Sequence, residues 1–290
     1  ESKVVAGPAE PRRNLELGRM TGPSRVRSPL ALFLAFSHGW TVAFWSIAAA
    51  MPGSVWDAPG RAWFLVGGAG ILLAGVVTTA WTDGRAGVRD LLRRTVDPRR
   101  GSVAAWSLAL LFAPVSTLLA AGVVAALDPP AAPLAPSAAD TPLAGLALAA
   151  TLLVLGPLPE EIGWRGVLLD RLLARLGPLA ATAVVALAWW SWHWPLHLLP
   201  GYFDPFAHPP GLWSQLAGIA AASVLMTWLY LNSRRSVAIA VAFHWSGNLT
   251  GEALRPSPAV DAVQLGVSAA VAVLVVALGF PRFTPGAGRR

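Results

Sequence analysis

The chain has 290 residues, of which 55% are hydrophobic and only 13% charged, and its mean hydropathy of +0.56 lies outside the range of soluble globular domains and reads as an integral membrane protein. Cysteine is absent, which excludes disulfides, thiolate nucleophiles and Cys-ligated zinc or iron–sulfur centres. The formal charge of +7 does not indicate nucleic acid, because the arginines fall in short clusters between apolar runs instead of along one basic and aromatic surface.

Residues 1–28 are basic without apolar periodicity and are expected to form a disordered tail. Eight apolar stretches follow, at 30–51, 62–82, 103–127, 143–158 continuing into 159–176, 178–199, 212–231, 236–254 and 259–280. Each is long enough, or nearly so, to cross a hydrocarbon core that needs about 20 helical residues. Backbone groups in lipid must be satisfied within their own segment, so these stretches are expected to be helices. The first is too long, and too well followed by others, to be a cleaved signal peptide. The expected fold is therefore an all-α polytopic membrane protein of about eight transmembrane helices.

Charge tests this count independently. Arg12, Arg13, Arg19, Arg25 and Arg27 precede the first span, and Arg85, Arg89, Arg93, Arg94, Arg99 and Arg100 lie between the second and third. Arg171 and Arg175 precede the fifth, Arg234 and Arg235 the seventh, and Arg282, Arg289 and Arg290 follow the eighth. Every second loop is thus basic. The others hold Arg61 and Arg255 with Asp57, Asp128, Asp140 and Asp204, so the positive-inside rule puts both termini in the cytoplasm. The Pro- and Ala-rich segment 128–142 becomes a short external loop. Trp40, Trp45, Trp56, Trp63, Trp81, Trp106, Trp213 and Trp228 fall mostly near span ends, where an interfacial aromatic belt is expected.

Polar residues at membrane depth are costly and mark candidate sites. In LPEEIGWRG, residues 158–166, Glu161 and Arg165 stand four apart with the acid first, the favourable order for a pair on one helical stripe. Glu160 is rotated by about 100° from Glu161 and is left as the spare carboxylate. Pro157 and Pro159 just upstream favour a helix start or kink. In AWWSWHWPLH, His193 lies four residues after Trp189, and Pro195 is expected to kink the helix. His197 is one turn from His193 but close to the external loop, where an interfacial role is expected. In VAFHWSGNLT, His244 and Asn248 are one turn apart and project to one side. A carboxylate, two histidines and an amide from three spans make a constellation suited to a site, whereas His38 and Glu252 lack such support.

At these residues the sequence resembles the CPBP family, also called Abi, of type II CAAX prenyl endopeptidases and bacteriocin-processing membrane proteins. Its EExxxR motif is matched by Glu160, Glu161 and Arg165, its FxxxH motif by Trp189 and His193 with one aromatic exchanged for another, and its HxxxN motif by His244 and Asn248. The resemblance covers roughly residues 143–254, which would be the catalytic core between N-terminal helices at 29–142 and a last helix with its C-terminus at 255–290. It implies an eight-helix fold with a polar cavity opening to the cytoplasmic side.

Peptide hydrolysis needs an activated water, a polarised carbonyl and a proton for the leaving amine. Glu160 is the candidate base, His193 can position the water or relay its proton, and His244 and Asn248 can donate to the developing oxyanion. By resemblance, Glu161, Arg165 and Trp189 support this set. A nucleophilic route lacks a cysteine, and neither Ser191 nor Ser246 has an evident base in the sequence. No cofactor is expected, although Glu160, His193 and His244 would make a zinc set with an open position. Expected partners are a peptide or lipid-anchored protein substrate and membrane lipid. Two other classes remain: an immunity or membrane-enzyme scaffold protein of the same family, and a transporter or proton relay.

Overall fold

The computed structural model describes residues 28–129, 134–135, 141–204 and 210–280. The expected basic tail, except Ser28, the middle of the segment 128–142 and the C-terminal arginines fall outside the described residues. The helices are α1 (Pro29–Ala50), α2 (Gly60–Gly68), α3 (Gly70–Val96), α4 (Val103–Leu127), α5 (Pro142–Leu155), α6 (Pro157–Gly163), α7 (Asp170–Leu173), α8 (Pro178–His193), α9 (Leu212–Asn232), α10 (Val237–Leu254) and α11 (Pro258–Leu278). The fold is all-α.

Local sequence explains many of these boundaries. The side chains of Ser28, Ser102, Thr141, Ser236 and Ser257 accept hydrogen bonds from first-turn amides of α1, α4, α5, α10 and α11, satisfying donors a helix start leaves open. Pro29, Pro142, Pro157, Pro178 and Pro258 occupy first helical positions, where the missing N–H costs nothing. The interior is apolar and close-packed around residues such as Phe33, Ile71, Trp164, Met226 and Ile239. The outward faces are also apolar, with Leu119, Leu146, Leu187 and Leu274 all exposed, as lipid solvation requires.

Among the described residues, six helical segments are long and apolar enough to cross a membrane: 29–50, 60–96, 103–127, 142–173, 212–232 and 258–278. The two remaining expected stretches form helices, α8 and α10, that fall outside this set. The first has only 16 residues, and the second has 18 that include His244, Asn248 and Glu252. Length and polarity thus set apart the two helices that carry four of the candidate site residues, Trp189, His193, His244 and Asn248.

Three expectations need adjustment. The segment between the second and third spans is helical: Gly84, at φ +64, turns the chain within α3 so that residues 85–96 run on as a basic, partly packed helix. The fourth span breaks at Gly156, which caps α5 before Pro157 starts α6. The chain then continues through a π-helical stretch, Trp164–Leu169, a type of distortion frequent at functional sites. Trp45 is buried within the bundle, its indole N–H donating to the Phe64 carbonyl at 2.9 Å, and does not belong to a belt. Trp81 and Trp213 are exposed, as belt residues would be.

The loops gather into two ends. At one, the Arg100 guanidinium donates to the Arg234 carbonyl at 2.8 Å, and Arg94 donates to the Tyr230 hydroxyl at 2.8 Å, which donates to Asp170 at 2.9 Å. Arg235 also binds Asp170. Burial opposes the Arg235 charge, but Tyr230 and Asp170 outweigh it and hold its proton more firmly than usual. At the other end, Val55 N–H donates to the Pro200 carbonyl at 2.8 Å and Ala135 N–H to the Arg255 carbonyl at 3.2 Å.

Candidate active site

The EExxxR stretch sits where α6 crosses α3. Gly75 and Gly163 meet there, and a side chain on Gly75 would lie 3.5 Å from the Gly163 Cα, so the pair lets the two backbones approach closely. α6 also packs against α5 and α10, and this places its two glutamates in different surroundings.

Glu161 is fully buried. Arg165, also fully buried, donates from Nη1 to both Glu161 oxygens at 2.9 Å, and its Nη2 donates to Ser223 Oγ at 3.2 Å. Its guanidinium lies 4.5 Å from the centroid of the Trp189 ring. His244 Nδ1 is 2.9 Å from Glu161 Oε1. A carboxylate accepts, so Nδ1 carries the proton and the Nε2 of His244 is left for other partners.

Glu160 does not share that arginine. Its carboxylate lines the cavity, and Oε2 accepts from the Trp189 indole N–H at 2.8 Å. The His193 Nε2 lies 3.9 Å from the same oxygen, beyond direct hydrogen bonding and within the span of a bridging water. His193 Nδ1 is 2.9 Å from the Trp189 carbonyl, which can only accept. Nδ1 is therefore the protonated nitrogen, and Nε2 presents a lone pair toward Glu160 when the ring is neutral. The α-helix ends at this histidine and tightens into a 3-10 turn over Trp194–Leu198 containing Pro195.

Glu160, His193, His244 and Asn248 all line one cavity of about 700 Å³. Asn248 faces it one turn beyond His244, with its amide nitrogen near Gly156 at the α5 break. His197 points elsewhere: its Nε2 is 3.3 Å from Gln215 Oε1 and its ring packs on Phe203. Ser191 does gain a histidine neighbour, His38 at 3.2 Å. Its hydroxyl, however, donates to the Ala188 carbonyl at 3.0 Å, and neither residue is among those lining the cavity.

The zinc set of Glu160, His193 and His244 fits these positions poorly. Among the described residues, no three His, Cys, Asp or Glu side chains converge closely enough to hold a metal ion.

Two features of the site are absent from the sequence reading. The Trp189 indole gives Glu160 a hydrogen bond that the phenylalanine of the FxxxH pattern cannot make, and the one available signal was the identity of that aromatic. The second concerns the mouth of the cavity. Its lining includes Trp45, Trp56, Tyr202, Glu252, Arg255 and Asp261, residues at or near the end of the bundle opposite the basic loops.

Comparison with known proteins bears on residues 142–250, which match a family model described as type II CAAX prenyl endopeptidase Rce1-like. A protein of Methanococcus maripaludis named CAAX prenyl protease 2 is 29% identical over 128 residues, or 43% of this chain and 47% of that relative. The match spans about half of the relative's length. Helices α5, α6 and α8, with nearly all of α10, lie inside the matched segment, and so do all seven motif residues. Residues 142–250 are thus similar to type II CAAX prenyl endopeptidases, the group that the three motifs resemble.

Proposed function

We propose that this protein is an intramembrane endopeptidase in which Glu160 activates a water for attack on a peptide bond held in the cavity. The observation that carries the reading is the division of labour between adjacent carboxylates: Glu161 is neutralised by Arg165 at 2.9 Å, and Glu160 faces the cavity with His193 3.9 Å away.

Water held between Glu160 and the His193 Nε2 gives a proton to the Glu160 carboxylate as its oxygen attacks the scissile carbonyl carbon. The carbonyl π bond opens, and the negative charge that forms on its oxygen is met by the Asn248 amide and by His244. A protonated His244, its charge supported by Glu161, donates from Nε2. Each such donor in a dry site is worth on the order of 3 kcal/mol. Collapse of the tetrahedral intermediate breaks the C–N bond, and the proton held by Glu160 passes to the leaving amine. Trp189 holds Glu160 through its N–H and His193 through its carbonyl, so one residue orients both groups that would flank the water.

The substrate proposed is a peptide or lipid-anchored protein segment at the membrane, a class consistent with the name of the curated relative. The test is cleavage of a panel of prenylated and otherwise lipid-anchored fluorogenic peptides by purified protein in detergent. Wild type is compared with Glu160→Ala, His244→Ala and a chelator-treated sample. Cleavage lost in both variants and kept with chelator supports the reading. Chelator loss restored by zinc would replace the metal-free mechanism, and full activity in Glu160→Ala would overturn the role of Glu160.

A further inference from the structure

The cavity holds a charge that the proposed chemistry does not use. Glu160 is committed to the water, and Glu161 is neutralised by Arg165. Glu252 remains. Its side chain lines the same cavity, and among the described residues its carboxylate has no hydrogen-bond or ion-pair partner, Arg255 acting on it only through space. A half-buried carboxylate is costly unless a donor or a cation meets it.

Helix α10 fixes where this carboxylate stands. His244, Asn248 and Glu252 follow one another at intervals of four residues, and all three line the cavity, so each is about 6 Å from the next along the helix axis. An extended substrate whose scissile carbonyl oxygen faces Asn248 advances about 3.3 Å per residue and returns a side chain to the same face at every second residue. The side chain two residues from the cleaved bond therefore comes level with Glu252.

The lining near this position is aromatic. Tyr202 lies within electrostatic reach of both Glu160 and Glu252. Trp56 stacks on Tyr202 with ring centroids 5.4 Å apart, Phe64 meets Trp56 at 5.3 Å, and Trp45 meets Phe64 at 5.5 Å. The indole N–H groups of Trp45 and Trp56 donate to the Phe64 and Tyr202 carbonyls at 2.9 Å. These rings therefore present apolar and π surface instead of donors, a surface that suits the stem and the charge of a lysine or arginine. The charged lining residues are Glu160, Glu252 and Asp261 against Arg255, so the cavity favours a cation over an anion. We infer that Glu252 determines specificity: the protein selects membrane-associated polypeptides with a lysine or arginine two residues from the cleaved bond, the cationic head on Glu252 and the stem against Tyr202. This rests on the proteolytic reading of the cavity.

The probes are the lipid-anchored fluorogenic peptides of the panel above, resynthesised with lysine, norleucine or glutamate at each residue in turn. Full-length wild type, Glu252→Gln and Glu252→Lys are compared in detergent, with thermal unfolding reporting that each is folded. The readout is the ratio of kcat/KM between lysine and norleucine peptides. In wild type the ratio should reach about 10-fold at a position two residues from the cleaved bond, the size expected of a hydrogen bond between charged groups, and should fall to about two-fold or less in Glu252→Gln. In Glu252→Lys the preference should pass to glutamate. The same peptides are titrated by fluorescence anisotropy against Glu160→Gln, with and without Glu252→Gln. Equal handling of lysine and norleucine peptides by wild type, or a lysine preference that survives Glu252→Gln, would overturn the inference. Lysine-selective binding that depends on Glu252, in a protein that cleaves no peptide, would keep the recognition and remove the proteolytic reading. Cleavage without lysine selectivity would do the reverse.

Discussion

Replacing Arg165 with methionine removes the cation that neutralises Glu161 while keeping most of the side-chain volume. In the folded protein Arg165 and Glu161 are both fully buried and joined by two hydrogen bonds at 2.9 Å. The variant leaves a carboxylate in the interior with only His244 beside it. Breaking one side of a buried pair costs about 3–5 kcal/mol, and loss of the guanidinium from the Trp189 face adds up to about 2 kcal/mol. Unfolding free energy in mixed detergent micelles should fall by about that sum, and cleavage should fall with it. A second variant, Glu161→Gln with Arg165→Met, removes both charges. Because a neutral pair of similar volume can replace a buried ion pair at little cost, its stability should return to within about 1 kcal/mol of wild type. Its cleavage should stay at least about 100-fold down, since a neutral amide in place of the Glu161 carboxylate cannot support a charged His244. A loss below about 1 kcal/mol in the single variant, or recovered cleavage in the double one, would refute the claim that this pair serves both the fold and His244.

Asn248→Ala should lower kcat by about 100- to 1,000-fold, as removal of one oxyanion donor does, with KM changed much less; a loss confined to KM would place Asn248 in substrate binding instead. Gly163→Ala should destabilise the protein by about 1–3 kcal/mol through overpacking, because the added methyl would lie 2.5 Å from the Ile71 side chain and 3.0 Å from its carbonyl oxygen; thermal unfolding in detergent measures this. His197→Ala should leave cleavage rates within about two-fold of wild type, since His197 is held by Gln215 and Phe203 and is not a cavity-lining residue.

Much of the helical architecture was legible because lipid leaves few alternatives: long apolar runs must be helices, and arginine alternation orders them. The Glu161–Arg165 pair was equally legible, being a local contact fixed by helical spacing. The divergence of Glu160 from Glu161 followed from the same rotation, but the partners of Glu160 did not. Trp189 comes from another helix, and its N–H donates to the carboxylate only because α6 and α8 pack at a particular height. The break at Gly156 and the π-helical stretch after it were hidden for a related reason, since Pro157 and Pro159 signal an interruption without saying on which residue it falls. The polar character of α10 is what makes it weak as a predicted span and useful as a wall of the site.

Single-turnover cleavage by Glu160→Gln isolates the role of Glu160 as the base. The substitution keeps the shape of the side chain and an oxygen able to accept the Trp189 N–H, and removes only the capacity to take a proton from water. The expected result is a folded protein with the stability of wild type and cleavage reduced by at least about 100-fold, within the range of a lost general base. A Glu160→Gln protein that cleaves the same peptide at a rate near that of wild type would contradict it.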